Sequence, residues 1–214
     1  MAIAHGRSDL HAEIEDLFFA LERMVDEVPE LIRKSFQEID NHIQEEARQL
    51  GEGDKEVESS TYNTLYGLYG MDGKEVMTDN LYKAIAVAIY NTYEMSVGTV
   101  AKLMKCVLPK RPTLKQYAEC LEMQYNLILK PQSDVQEIFE IYREFRNLIA
   151  HNLYDPEEVK RIKELLQDRP GIFFTEDAMV IKSPKYLLES IEQMRNIMVE
   201  LVVEFQKRQA MTHE

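Results

Sequence analysis

A chain of 214 residues, 45% of them hydrophobic, can bury a sizeable core, so it needs neither a disulfide framework nor a metal staple. Eight glycines and seven prolines are too few for a many-turned sandwich or barrel. A formal net charge of −13 argues against indiscriminate nucleic-acid binding, because phosphates would be repelled over much of the surface. No apolar run approaches the roughly 20 residues of a membrane span, and Ala84 to Tyr90 is among the longest. The N-terminus turns acidic by Asp9 and lacks a secretory apolar region, so a cytoplasmic location without membrane attachment is expected.

In chain order, Ser8 and Asp9 resemble an N-cap, and Ile14, Leu17, Phe18, Leu21, Val25 and Val28 recur at helical spacing after them. Pro29 is expected to kink this helix or to open a second one. The stripe continues from Leu31 through Phe36 and Ile43 to Leu50, where Gly51 stops it. Residues 1–58 therefore predict an acidic helical arm. Gly51 to Ser60 reads as an acidic loop, and Thr61 to Gly73, with three tyrosines and three glycines, as irregular. A helix is expected from Thr78 or Asp79, then a second from about Val97 to Leu108. Thr113 with Gln116 forms a capping box for the next, with Leu114, Tyr117, Leu121, Tyr125 and Ile128 as its stripe. Ser133 with Gln136 caps a helix whose apolar side is Val135, Ile138, Phe139, Tyr142, Phe145 and Ile149. Asp155-Pro156, with Glu158, starts another through Leu166. Ile172 to Thr175 and Met179 to Ile181 predict a small hairpin, and Ser183-Pro184 launches the last helix. The pattern implies a single all-α domain over 1–214: an antiparallel helical bundle, its core over 78–207, with one minor hairpin near 172–181.

Charge is uneven along this pattern. Residues 1–58 hold 16 acids and 6 bases, net −10, which leaves −3 for the remaining 156. Between Met95 and Ala118 stand five bases (Lys102, Lys105, Lys110, Arg111 and Lys115) and no acid. Such a run is either a solvated helix face or a track for phosphates.

The general-purpose signatures of chemistry are missing. There is no Walker-type phosphate loop, no G-x-G-x-x-G, no H-E-x-x-H and no G-x-S-x-G. His5, His11, His42 and His213 lack ligand spacing, so no metal site is expected. Cys106 and Cys120 form no C-x-x-C pair and are expected as buried free thiols.

One constellation stands out. Arg146 and Asn147 precede His151 on the segment whose stripe includes Tyr142, Phe145 and Ile149, and Arg143, Asn147 and His151 share a helix face. A permanent cation and an imidazole are the parts needed to hold a phosphodiester and move its protons. The same residues equally suit a structural role, with Arg146 paired to a bundle glutamate and His151 capping carbonyls at a helix end.

R-N-x-x-x-H near the end of a helix in an all-α bundle resembles the signature of HEPN-domain proteins, the R-x4-6-H superfamily. The helix after His151-Asn152, the segment Gly171 to Lys182 and the helix from Ser183 follow in an order similar to the C-terminal half of stand-alone HEPN nucleases of prokaryotic defence and toxin systems. The resemblance covers 78–207 loosely and 143–154 specifically. It implies a metal-independent, cofactor-free endoribonuclease acting as a homodimer, with motif helices of two subunits forming one composite site. Arg146 would then contact the scissile phosphate, His151 would transfer protons, and Asn147 fills the family's common polar position. Arg143 would grip a flanking phosphate or join a salt bridge near Glu140 and Glu144. In the toxins paired with nucleotidyltransferase antitoxins, a tyrosine stands two residues after the histidine. Here Leu153 holds that place and Tyr154 is one further on, which argues against control by tyrosine modification. RNA is the implied substrate, with an antitoxin or a larger defence effector as a further partner. The alternative is a non-catalytic HEPN-like module that binds nucleotide, RNA or protein, a role that the acidic first 58 residues favour.

Overall fold

The computed structural model describes residues 5–69, 71–125, 143, 156–166, 169, 171–174 and 179–211. The N-terminal stripe produces one helix, α1 (His5–Gly51), of 47 residues, with Pro29 inside it. A proline in a helix interior costs about 3 kcal/mol. Burial of Val25, Val28 and Ile32 on both sides of Pro29 in a single core cluster outweighs that cost. The acidic loop expected over 51–60 shrinks to three residues. Glu52 and Gly53 both have positive φ (46° and 91°), and the Asp54 amide bonds to the Gly51 carbonyl at 2.8 Å, closing a tight turn. The Asp54 carboxylate then accepts from the amides of Glu56 and Val57 (2.9 and 3.3 Å), capping α2 (Lys55–Tyr69).

The stretch expected to be irregular is thus mostly helix, and its tyrosines explain why. Tyr62 and Tyr66, one turn apart, stack with ring centroids 5.7 Å apart, and the Tyr62 hydroxyl donates to Asp40 on α1 at 2.6 Å. The pairs Gly51–Glu58, Arg48–Glu58 and Asp40–Tyr62 show α2 running antiparallel along the end of α1.

The two helices expected on either side of residues 94–97 are one, α3 (Met71–Leu103), 33 residues long. Hydroxyls that resemble boundary signals are absorbed inside it. Thr78, Ser96 and Thr99 each donate to the carbonyl four residues back, at 2.7, 2.8 and 2.9 Å. Gly98 marks the crossing with α4 (Leu114–Tyr125), since a Cβ there would lie 2.9 Å from the Tyr117 ring. The capping box is formed as expected. The Thr113 amide donates to Gln116 Oε1 at 2.9 Å, and the Gln116 amide to Thr113 Oγ1 at 3.5 Å.

After the motif segment come α5 (Pro156–Leu166), β1 (Ile172–Phe174), β2 (Met179–Ile181) and α6 (Lys185–Met211). The strands pair antiparallel in the register Ile172↔Ile181, Phe173↔Val180 and Phe174↔Met179. Ile172, Met179 and Ile181 turn inward, while exposed Phe173 lies beneath the Lys182 ammonium. The described chain is an all-α bundle with this one hairpin. Its core gathers α1, α3 and α6, with Leu121 of α4, Ile162 and Leu166 of α5 and the hairpin's inward residues joined to them. The first half of α1 belongs to that core through Leu10, Ile14, Phe18 and Leu21. Beyond Ile32, Ile43 and Ala47 are its buried hydrophobic residues. No described helix is long and apolar enough to cross a membrane.

Asp79, which the sequence pattern places at a helix start, has a different task. Its Oδ1 accepts the amide of Ile181 at 2.7 Å, across 102 residues, and its Oδ2 meets Lys83 Nζ at 2.5 Å. One carboxylate therefore fastens the hairpin to α3. Asp79→Ala should cost about 1–3 kcal/mol, because the amide of fully buried Ile181 loses its acceptor. Asp79→Asn, which keeps an acceptor oxygen, should cost less, and urea denaturation of the two variants measures the difference.

Candidate functional site

Arg146, Asn147, His151 and Tyr154 lie outside the described residues, as do the expected Ser133–Gln136 cap and Ile128. Arg143 is described: its backbone is helical and its side chain exposed. The helices that bracket the motif are described too. Their described spans are Leu114–Tyr125 of α4 before it and Pro156–Leu166 of α5 after it.

The five bases of the acid-free run fall on three local settings, all exposed. Lys102 occupies the last turn of α3, where partial negative charge on unpaired carbonyls favours a cation. Lys105 follows in a left-handed conformation, φ 59°. Its amide bonds to the Lys102 carbonyl at 2.9 Å, and the Cys106 amide to the Ala101 carbonyl at 3.0 Å. This pair is a Schellman cap, which ends α3 five residues before the expected Leu108. Lys110 and Arg111 stand on the connection to α4. Lys115, in the first turn of α4, faces Glu119 at 3.7 Å. Helix-end electrostatics and an ion pair thus account for Lys102, Lys105 and Lys115. Lys110 and Arg111 have no ion pair among the described residues and are the part of the run best suited to a phosphate.

A groove of about 440 Å³ between α1 and α2 went unnoticed in the sequence, because it is assembled by the turn at Gly51. Gln44, Arg48, Lys55, Glu58, Ser59 and Tyr62 line it. Its arginine is already met by Glu45 at 3.0 Å and Glu58 at 3.9 Å, which makes it a poor anion site. Tyr62 is held protonated up to about 12, chiefly by its hydrogen bond to Asp40. His11 faces Glu15 at 3.6 Å on the surface of α1. Among the described residues, no three His, Cys, Asp or Glu side chains are grouped to hold a metal ion.

The two cysteines, remote in sequence pattern, are neighbours in the fold. Cys120 is buried and Cys106 half-buried, and the Cys120 thiol lies 3.9 Å from the carbonyl oxygen of Val107, the residue after Cys106. The spacing gives no hint of this, since only the turn from α3 into α4 brings them together.

No protein family, characterised protein or solved structure matches the chain.

The left-handed Lys105 gives a direct check on the basic run. A side chain there costs about 1–2 kcal/mol, more than the roughly 0.4–1 kcal/mol that glycine's added unfolded freedom takes away. Lys105→Gly should therefore raise stability by about 0.5–1 kcal/mol in urea denaturation, even though it removes a cation from the helix end.

Proposed function

We propose that the chain is a metal-independent endoribonuclease of a toxin or phage-defence system, cleaving RNA by attack of a 2′-OH on the adjacent phosphate. The observation that carries this is Arg146-Asn147 followed by His151, on the segment that leads from α4 into α5 of an all-α chain. Arg146 would offer a fixed fork of donors to phosphate oxygens as charge develops on them. His151 would take the proton of the attacking hydroxyl or protonate the leaving 5′-oxygen. One imidazole cannot do both in one geometry. Two subunits, each contributing its motif, would supply the pair at a homodimer interface. Asn147 would orient the phosphate, and Arg143, exposed on its helix, would hold a flanking one. Lys110 and Arg111, with Lys102, Lys105 and Lys115 around them, would guide the rest of the strand. An antitoxin or a larger effector would restrain the activity in the cytoplasm.

A second reading rests on the charge of the first 58 residues, net −10. Such a surface suits a non-catalytic HEPN-like module whose ligand is a nucleotide, an RNA end or a protein partner.

Incubating purified protein with RNA in EDTA separates the two. The nuclease should leave 2′,3′-cyclic phosphate and 5′-OH ends. Arg146→Ala and His151→Ala should each slow cleavage by about 10²-fold or more, with an unchanged circular-dichroism spectrum. Cleavage by both variants at the parental rate would remove the site assignment, whereas binding without turnover would establish the second reading.

A further inference from the structure

The segment between α3 and α4 is tethered at its start by the Schellman cap, in which the Cys106 amide bonds to the Ala101 carbonyl at 3.0 Å. Cys106 packs from there against the core. Cys120, in the second turn of α4, is 4% exposed and points its Sγ at the Val107 carbonyl, 3.9 Å away. Its thiol is therefore held against the backbone of the residue that follows Cys106, which sets the two cysteines side by side. Thirteen residues, 107–119, separate them, and these include Lys110, Arg111 and Lys115. The pair is unequal in a useful way: Cys106 is partly exposed and Cys120 is buried.

We propose that Cys106 and Cys120 are a dithiol pair that closes to an intrachain disulfide on meeting a low-molecular-weight disulfide, locking the basic α3–α4 connection. The inference is independent of the nuclease reading. Cys106, as its thiolate, attacks one sulfur of the small disulfide, breaks its S–S bond and releases one thiolate. The deprotonated Cys120 then attacks the Cys106 sulfur of the mixed disulfide and expels the second thiolate. The chain loses two electrons and two protons, and the small disulfide is reduced to two thiols. In the resting fold, burial first and the Cys120 thiol second push the Cys106 thiol up to about 12. Exchange is accordingly slow until the connection loosens, which makes the pair a recorder of its opening rather than a rapid peroxide sensor. The closed loop would be short, and the gain in stability correspondingly moderate.

The test uses the full chain, kept native, with oxidised glutathione as the probe, followed by intact mass and thermal unfolding. The wild type should lose two hydrogens without retaining glutathione. Its Tm should rise by about 5–10 °C, and dithiothreitol should reverse both changes. Cys120→Ser should stop with one glutathione on Cys106, and Cys106→Ser should stay unmodified. Two free thiols surviving prolonged incubation, glutathione on both cysteines, a bond between two chains, or closure only in denaturant would each overturn the proposal.

Discussion

Everything else in the fold depends on one apolar seam where α1, α3 and α6 meet. Phe18 and Val25, Ile89, Tyr93 and Val97, and Met194, Met198 and Val202 are all fully removed from solvent along it. At about 1.5–3 kcal/mol for each large side chain, this burial dwarfs any single polar contact. It is enough to carry a proline inside α1 and a left-handed lysine at the end of α3. The long-range ion pair Arg195–Glu22, at 2.8 Å and with both side chains a little over a quarter exposed, adds about 1 kcal/mol or less. Its effect is to fix how α6 sits along α1. The Asp79 carboxylate does the same for the hairpin, which could not stand alone with three residues in each strand.

The seam also explains why the helices are so long. A helix held along its whole length by burial tolerates residues that would fray or end an isolated one. Thr78, Ser96 and Thr99 satisfy their hydroxyls on carbonyls of the same helix and leave the ladder intact. α2 is the contrast, since none of its residues is buried. It is held by a tight turn, an Asp54 cap and the Tyr62–Asp40 hydrogen bond, all polar and all local to the end of α1. Among the described elements it is the one with least apolar burial to lose on opening.

Electrostatics divides the molecule along the same lines. Several bases of α1 are spent within the helix, Arg23 on Glu27, Arg33 and Lys34 on Glu30, and Arg48 on Glu45, so its outer face remains acidic. The basic run falls at the far end of α3, on a connection with few competing carboxylates. For the RNA substrate proposed here, that arrangement would repel the strand from α1 and draw it toward the α3–α4 connection. Lys110 and Arg111 gain weight from this because their neighbours are explained by helix ends and an ion pair. A disulfide between Cys106 and Cys120 would stiffen the same connection.

Residue spacing was enough to establish an all-α bundle, the hairpin with its strands placed to within a residue, the Thr113–Gln116 box and the start of α6. Each of these is written in a local signal, either an apolar period or a cap whose partners lie within four positions. The motif of Arg146, Asn147 and His151 is likewise legible only as a pattern of residue types, and the described residues add Arg143 and the bracketing helices to it. Tertiary packing decided what local signals could not. It kept α1 whole across Pro29, merged two expected helices into α3, turned Asp79 from a cap into a clamp and set two cysteines side by side. The physical reason is common to all four: a short-range preference of about 1–3 kcal/mol yields where side chains far apart in the chain can bury or bond one another.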